Sequence, residues 1–289
     1  MFVVLVLGTK VLLFFRRNDL LFFFKIENEP LSEINDYLCP RIKDKIEKMN
    51  YNNDYELSEY AQERQWDISA AFPVLMRKVY VWMTLALVIT GITAYGVANS
   101  PGVLEAIYKN QILFWGLIIA EFGLVIGVSA AINKLSLAVA TLMFIAYSVI
   151  NGALLSYIFL AYTSSSIATV FFITAGTFAA MAIVGYTTKT DLSSMGKYLL
   201  MALIGIIIAT LVNVFFVKST GFELILSYAG VLVFVGLTAY DSQKIKQMLM
   251  QAPDAGEVAQ KYALLGALSL YLDFINLFIY LLRIFGKRE

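Results

Sequence analysis

Three acidic residues lie inside long apolar runs, and they are the side chains with chemistry to offer. Asp241 stands in GLTAYDSQKIKQM at 236–248, Asp273 in LYLDFINLF, and Glu121 in FWGLIIAEFGLVIGVSAA. An Asp, Lys or Arg at the centre of a membrane helix costs about 2.5–3.5 kcal/mol on insertion scales, so an acid kept there is a candidate functional group. Two carboxylates taken out of water and set side by side do not both ionise cheaply, and they titrate as one coupled unit. With one proton shared, they hydrogen-bond and tie two helices together. With none, they repel or hold a cation. Hard cations such as calcium prefer carboxylate and carbonyl oxygens. Two carboxylates alone hold calcium weakly, which suits a pathway better than a storage site.

Absent residue types narrow the chemistry further. There is no histidine, and Cys39 is the one cysteine. That removes the Ser-His and Cys-His nucleophile pairs, histidine-ligated zinc, an internal disulfide and a cysteine metal cluster. No tightly bound cofactor and no enzyme activity are expected. A net charge of +1 without a basic stripe gives no sign of nucleic-acid binding.

The elements that must position these acids are membrane helices. The 289 residues are 60% hydrophobic and 15% charged, with a mean hydropathy of +0.74. Soluble domains are nearer half apolar and a quarter charged. A span needs about 20 mostly apolar residues. Seven such runs follow residue 70, at roughly 77–98, 112–132, 135–161, 167–187, 198–217, 223–243 and 262–283. Short linkers separate them, which favours a compact all-α bundle of antiparallel neighbours in the lipid bilayer.

Loop cations set the expected orientation. Arg77, Lys78, Lys134, Lys189, Lys197, Lys244, Lys246 and Lys261 fall on one side; Lys109 and Lys218 fall on the other. The residues before the first span are therefore expected in the cytoplasm. Seven spans then put the C-terminus outside, against a weak contrary signal from Arg283, Lys287 and Arg288. Residues 1–69 are expected to be an N-terminal extension beside a membrane domain at 70–289. The Phe- and Asn-rich stretch 1–48 reads as an overextended start ahead of Met49, with a membrane anchor or interfacial helix as the alternative. The acidic, Tyr-rich 50–69 reads as a flexible tail.

Within the seventh run, Tyr262, Gly266, Ser269, Asp273, Asn276 and Tyr280 recur at steps of three and four, which places all six on one face. In lipid a polar stripe must face other helices or water. The last helix is therefore expected to be central, its stripe turned to a cavity. Asp241 lies near the cytoplasmic end of the sixth run. A continuation of that helix through Ile245, Met248 and Leu249, with Lys244 and Lys246 reaching for the interface, would place it a turn or two inside. Both aspartates then approach each other in the cytoplasmic half. Ser269, Asn276 and Tyr240 flank them as accessory residues. Glu121 is either a packing residue or a further acid on the same route; Gly123, Gly127 and Ala131 beside it favour close helix approach.

The runs VLMRKVYVWMTLALVITGITAY, IIAEFGLVIGVSAAI, GLTAYDSQKIK and LSLYLDFINLFIYLLRIFG closely resemble the transmembrane Bax inhibitor motif family. The resemblance covers about 70–289, and GLTAYDSQ is its most specific part. It implies two three-helix layers around a central seventh helix. It also implies a pH-sensitive calcium leak gated by an aspartate pair, at Asp241 and Asp273 here, with calcium as permeant or weakly bound ion. Family members are described as cell-death suppressors, and some bacterial ones as modulators of a membrane protease. The family's arginine partner on the second helix has no counterpart in that span, where Lys134 at its end is the basic residue. The short loops point to a bacterial inner membrane.

Two other readings share the acids. Intramembrane aspartyl proteases also carry a Tyr-Asp pair on a sixth helix, which Tyr240–Asp241 fits. Their second acid follows Gly-x-Gly, where this sequence has LYLD, and their Pro-Ala-Leu motif is missing. A non-conducting regulator that binds a membrane protease or another membrane partner is the main alternative.

Overall fold

The computed structural model describes residues 72–250 and 256–288. The readings of 1–69 lie outside the described residues. Seven helices are long and apolar enough to cross a membrane: α1 (Phe72–Ala98), α2 (Gln111–Ala131), α3 (Leu137–Ala161), α4 (Ser164–Thr187), α5 (Ser193–Val217), α6 (Thr220–Met250) and α7 (Glu257–Phe285). All seven expected spans are present; α1, α5 and α7 begin five residues before their expected starts, α6 ends seven residues beyond its expected end, and the other ends fall within three residues. The protein is an all-α membrane protein.

Local chemistry sets the boundaries. Asn110 caps α2 by accepting from the amides of Ile112 and Leu113, and Ser136 caps α3 through the Val139 amide. The linker SPGVLEAIYKN folds into a further short helix, Pro101–Lys109, opened by a proline whose missing N–H costs nothing at a helix start. The last turn of α5 widens to a π-turn at Asn213–Val217. There the Asn213 side chain clasps both backbone groups of Ser219, and Lys218 takes a left-handed φ of 51°.

α6 runs seven residues past its expected end, because Lys244, Lys246 and Gln247 lower hydropathy without breaking the helix. Asp241 thus stands nine residues before Met250, as the continuation through Leu249 requires.

α7 is the core of the bundle. In its most apolar window 94% of the residues are buried, against 22–44% for the other six. It packs on α6, α4 and α3. Tyr271 on α7 also meets Thr90 of α1, and Phe171 and Phe178 of α4 lie against Phe274. Neighbours thus cover its apolar faces and its polar stripe alike.

Contacts at the helix ends group the loops as expected. Lys78 Nζ donates to Gln260 Oε1 at 3.2 Å, the Leu137 amide to Glu257 Oε1 at 3.2 Å, and Lys246 Nζ to the Tyr186 carbonyl at 2.9 Å. At the other end Arg283 pairs with Glu223 at 3.8 Å, and the Thr163 amide donates to the Lys287 carbonyl.

Candidate functional site

The segment GLTAYDSQ of α6 is an ordered series of contacts. The ring of Tyr240 lies flat on Gly196 of α5, where an added Cβ would come 2.5 Å from a ring carbon. Ala239 presents its backbone to Gly185 of α4, where an added Cβ would come 2.7 Å from the Ala239 carbonyl carbon. Asp241 accepts a hydrogen bond from Ser269 Oγ of α7, at 2.6 Å on Oδ2. The Gln243 amide donates to the Thr190 carbonyl and accepts from the Leu192 amide, both at 2.8 Å. That side chain ties the α4–α5 loop to α6 two residues beyond the aspartate. Three helices and a loop thus fix the position of one carboxylate.

Asp273 lies on α7 one turn from Ser269, a spacing that sets their Cβ atoms about 5–6 Å apart. Asp273 is fully buried, and Asp241 is 5% exposed. Ser269 thus joins the α6 acid by a hydrogen bond and stands one turn from the α7 acid on the same face of α7. Asn276, next on the stripe, spends its amide on the Leu272 carbonyl of its own helix at 2.6 Å.

The stripe on α7 does not line a cavity. Gly266 sits against Ile245, Ser269 against Asp241, and the Tyr280 ring against Gly230, all on α6. Glycine at 230 and 266 lets the two helices close over the aspartates. The expected water-facing stripe is a shut helix contact.

Glu121 lies elsewhere and anchors a second polar cluster. It is 1% exposed on α2, and Asn151 Nδ2 of α3 donates to its Oε1. Asn151 Oδ1 in turn accepts from the Tyr271 hydroxyl at 3.0 Å, and Tyr271 meets Thr90 Oγ1 at 2.7 Å. Thr90 reaches the Ser148 carbonyl at 3.0 Å. The chain Glu121–Asn151–Tyr271–Thr90 joins α2, α3, α7 and α1 in a buried interior. Glu121 Oε2 has no hydrogen-bond partner among the described residues, so this carboxyl is under-satisfied in a setting where that is costly. Asn151 and Tyr271 were not singled out from sequence as partners; the mid-span amide was the available signal. Lys134, the basic residue at the end of the second span, is exposed on the turn after α2. No cluster of three or more metal-ligating side chains occurs among the described residues.

Comparison with known proteins bears on what this arrangement is. The family model described as inhibitor of apoptosis-promoting Bax1 matches residues 73–289. The chain belongs to this family. The match covers all seven helices and both aspartates. The chain is 52% identical over 222 residues to inner membrane protein YbhL of Escherichia coli (strain K12), covering 76% of this chain and 94% of that protein. It is 46% identical to a protein of Borreliella burgdorferi, over 74% of this chain and 92% of that one. It is 42% identical to protein RP147 of Rickettsia prowazekii, over 74% and 89%. The aligned lengths of these relatives correspond to the seven-helix domain.

Proposed function

We propose that this Bax inhibitor family protein is a calcium leak of the bacterial inner membrane, gated by protonation of Asp241 and Asp273. The observation that supports the reading most is the α6–α7 contact. Asp241 of α6 accepts from the Ser269 hydroxyl, Asp273 stands one turn further on the same face of α7, and both acids are buried where Gly230 and Gly266 let the two helices pack closely. A carboxylate pair that shares a proton draws the helices together; loss of the proton leaves two like charges in a low dielectric, which drives them apart or recruits a cation. Separation of α6 from α7 would open a path lined by Asp241, Ser269, Asp273 and Asn276. Calcium, a hard cation served by oxygen ligands, is the ion that such a path would favour. Glu121 would add a third acid, in a separate cluster of the bundle. The reading needs no enzyme chemistry and no resident cofactor.

The name of the Escherichia coli relative and the seven apolar helices support the inner membrane. The loop cations support a cytoplasmic location for the Phe72 end of α1 and an outside location for the end of α7.

Calcium entry into proteoliposomes, followed across pH, tests this reading. Flux that changes with pH in the wild type and loses that dependence in Asp241→Asn and in Asp273→Asn supports it. No calcium entry at any pH rules the leak out. The second reading, a regulator of a membrane protease or other membrane partner, is favoured by Gly116 and Gly123 on α2, which have open space where a Cβ would stand. Such positions admit a close helix partner.

A further inference from the structure

The membrane-facing side of the bundle carries a groove that neither the aspartates nor the Glu121 cluster uses. It lies between α1 and α4 and encloses about 610 Å³. Its walls are apolar, with Met76, Met83, Phe171, Phe178 and Ala179 along the sides and Phe274 of α7 at the floor. On α1 it runs from Pro73 to Leu87, and on α4 from Tyr186 back to Phe171. At 1.5 Å per residue, either wall is about 21–22 Å long. One leaflet of a bilayer offers about 15 Å of hydrocarbon. With its headgroup region a leaflet is about 20–22 Å deep, so the groove spans one leaflet from the headgroup level inward.

The end that carries Pro73 and Tyr186 is polar and basic. Arg77 lines the groove and is exposed there. Tyr186 stacks on Phe72 at 6.4 Å, and Lys246 Nζ lies 4.9 Å from the centre of the Tyr186 ring. The neighbouring face of α1, with Val81, Leu85 and Val88, is open and apolar beside the groove. A guanidinium at one end of an apolar groove matches an amphiphile with an anionic head.

We propose that the α1–α4 groove binds one anionic phospholipid, with an acyl chain in the groove and the phosphate on Arg77. An arginine fork suits a phosphate, and Lys246 adds positive charge at the same level. The bound chain would rest on Phe274, the residue next to Asp273, and would hold α1 and α4 together over the central helix. This inference is independent of the leak reading and stands or falls separately.

The test uses the full chain in bilayer discs of equal phosphatidylglycerol and phosphatidylcholine. After mild detergent release, native mass spectrometry counts the lipids retained. The wild type is expected to keep one phosphatidylglycerol in preference to phosphatidylcholine. Arg77→Gln should lower that retention about fivefold, the worth of one cation beside an anionic headgroup. Ala179→Phe, which fills the groove from an exposed position, should abolish it, and Ala180→Phe, on an exposed position outside the groove, should not. Arg77 and Ala179 are both exposed, so neither change disturbs the packed interior. Equal retention in wild type, Arg77→Gln and Ala179→Phe overturns the proposal. So does a wild type that keeps no lipid, an outcome that would assign the groove to another occupant such as residues 1–71 of the chain itself.

Discussion

Gly185→Ala probes the device that seats Asp241. Gly185 is where α4 touches the backbone of α6 at Ala239, two residues before the aspartate. A Cβ at 185 would stand 2.7 Å from both Cα and the carbonyl carbon of Ala239, and closer still to its oxygen. Carbon atoms rest at about 3.5–4.0 Å, so the helices must separate by about 1 Å. The neighbour is backbone and has no rotamer to escape into. Overpacking of this kind costs about 1–3 kcal/mol, and contact with rigid backbone belongs at the upper end. At about 2–4 °C per kcal/mol for a domain of this size, melting should fall by about 6–12 °C. A shift of about 1 Å also stretches the 2.6 Å bond from Ser269 to Asp241 beyond hydrogen-bond range. Thermal melting in detergent measures the first effect, and calcium flux measures the second, as a raised leak with weaker pH dependence. Gly91→Ala is the control, since nothing lies within 4 Å of its added Cβ. It should melt at or slightly above the wild-type temperature, because alanine favours a helix interior by about 0.5–1 kcal/mol. If Gly185→Ala melts with the wild type, the tight α4–α6 seat is not what holds Asp241 in place.

Other consequences are equally direct. Ser269→Ala removes the hydroxyl that donates to Asp241 and should weaken the pH dependence of the flux, while Ser269→Thr should keep it. Asn151→Leu removes the donor to Glu121 and one of the two partners of the Tyr271 hydroxyl, which keeps Thr90, and should lower melting by about 2–12 °C, at about 1–3 kcal/mol for a buried group left unpaired and about 2–4 °C per kcal/mol. Adding Glu121→Leu should return part of that loss, and a strictly additive double variant would dismiss the coupling. Gln243→Leu cuts the two bonds to the 190–192 loop and should speed amide exchange at Leu192 without lowering global melting by more than a few degrees. Lys218→Cys should label from outside intact cells and Lys189→Cys should not; the reverse pattern would invert the orientation argued from the loop cations.

The hydropathy of the runs makes the seven helices legible, because a bilayer demands about 20 apolar residues whatever the fold. The steps of three and four in α7 likewise expose its polar stripe. What such periodicity leaves open is what the stripe faces. Gly230 and Gly266 turned an expected cavity into a closed contact with α6, and the glycines that decide this lie on two different helices. The end of α6 escaped the hydropathy window because Lys244 and Lys246 are charged, although they leave the helix intact. The Glu121 cluster was the least legible. Its four side chains come from four helices separated by up to 181 residues, and no local spacing links Thr90 to Tyr271. Lys134, the basic residue at the end of the second span, is exposed on its turn.

The central claim is that Asp241 and Asp273 act as one titrating unit. Its most direct test is a double-mutant comparison of calcium flux against pH, with Asp241→Asn, Asp273→Asn and the double variant in the same vesicles. A coupled pair predicts that either single change flattens the profile as fully as both together. Two partial losses that add up in the double variant, or a profile that survives all three, would contradict it.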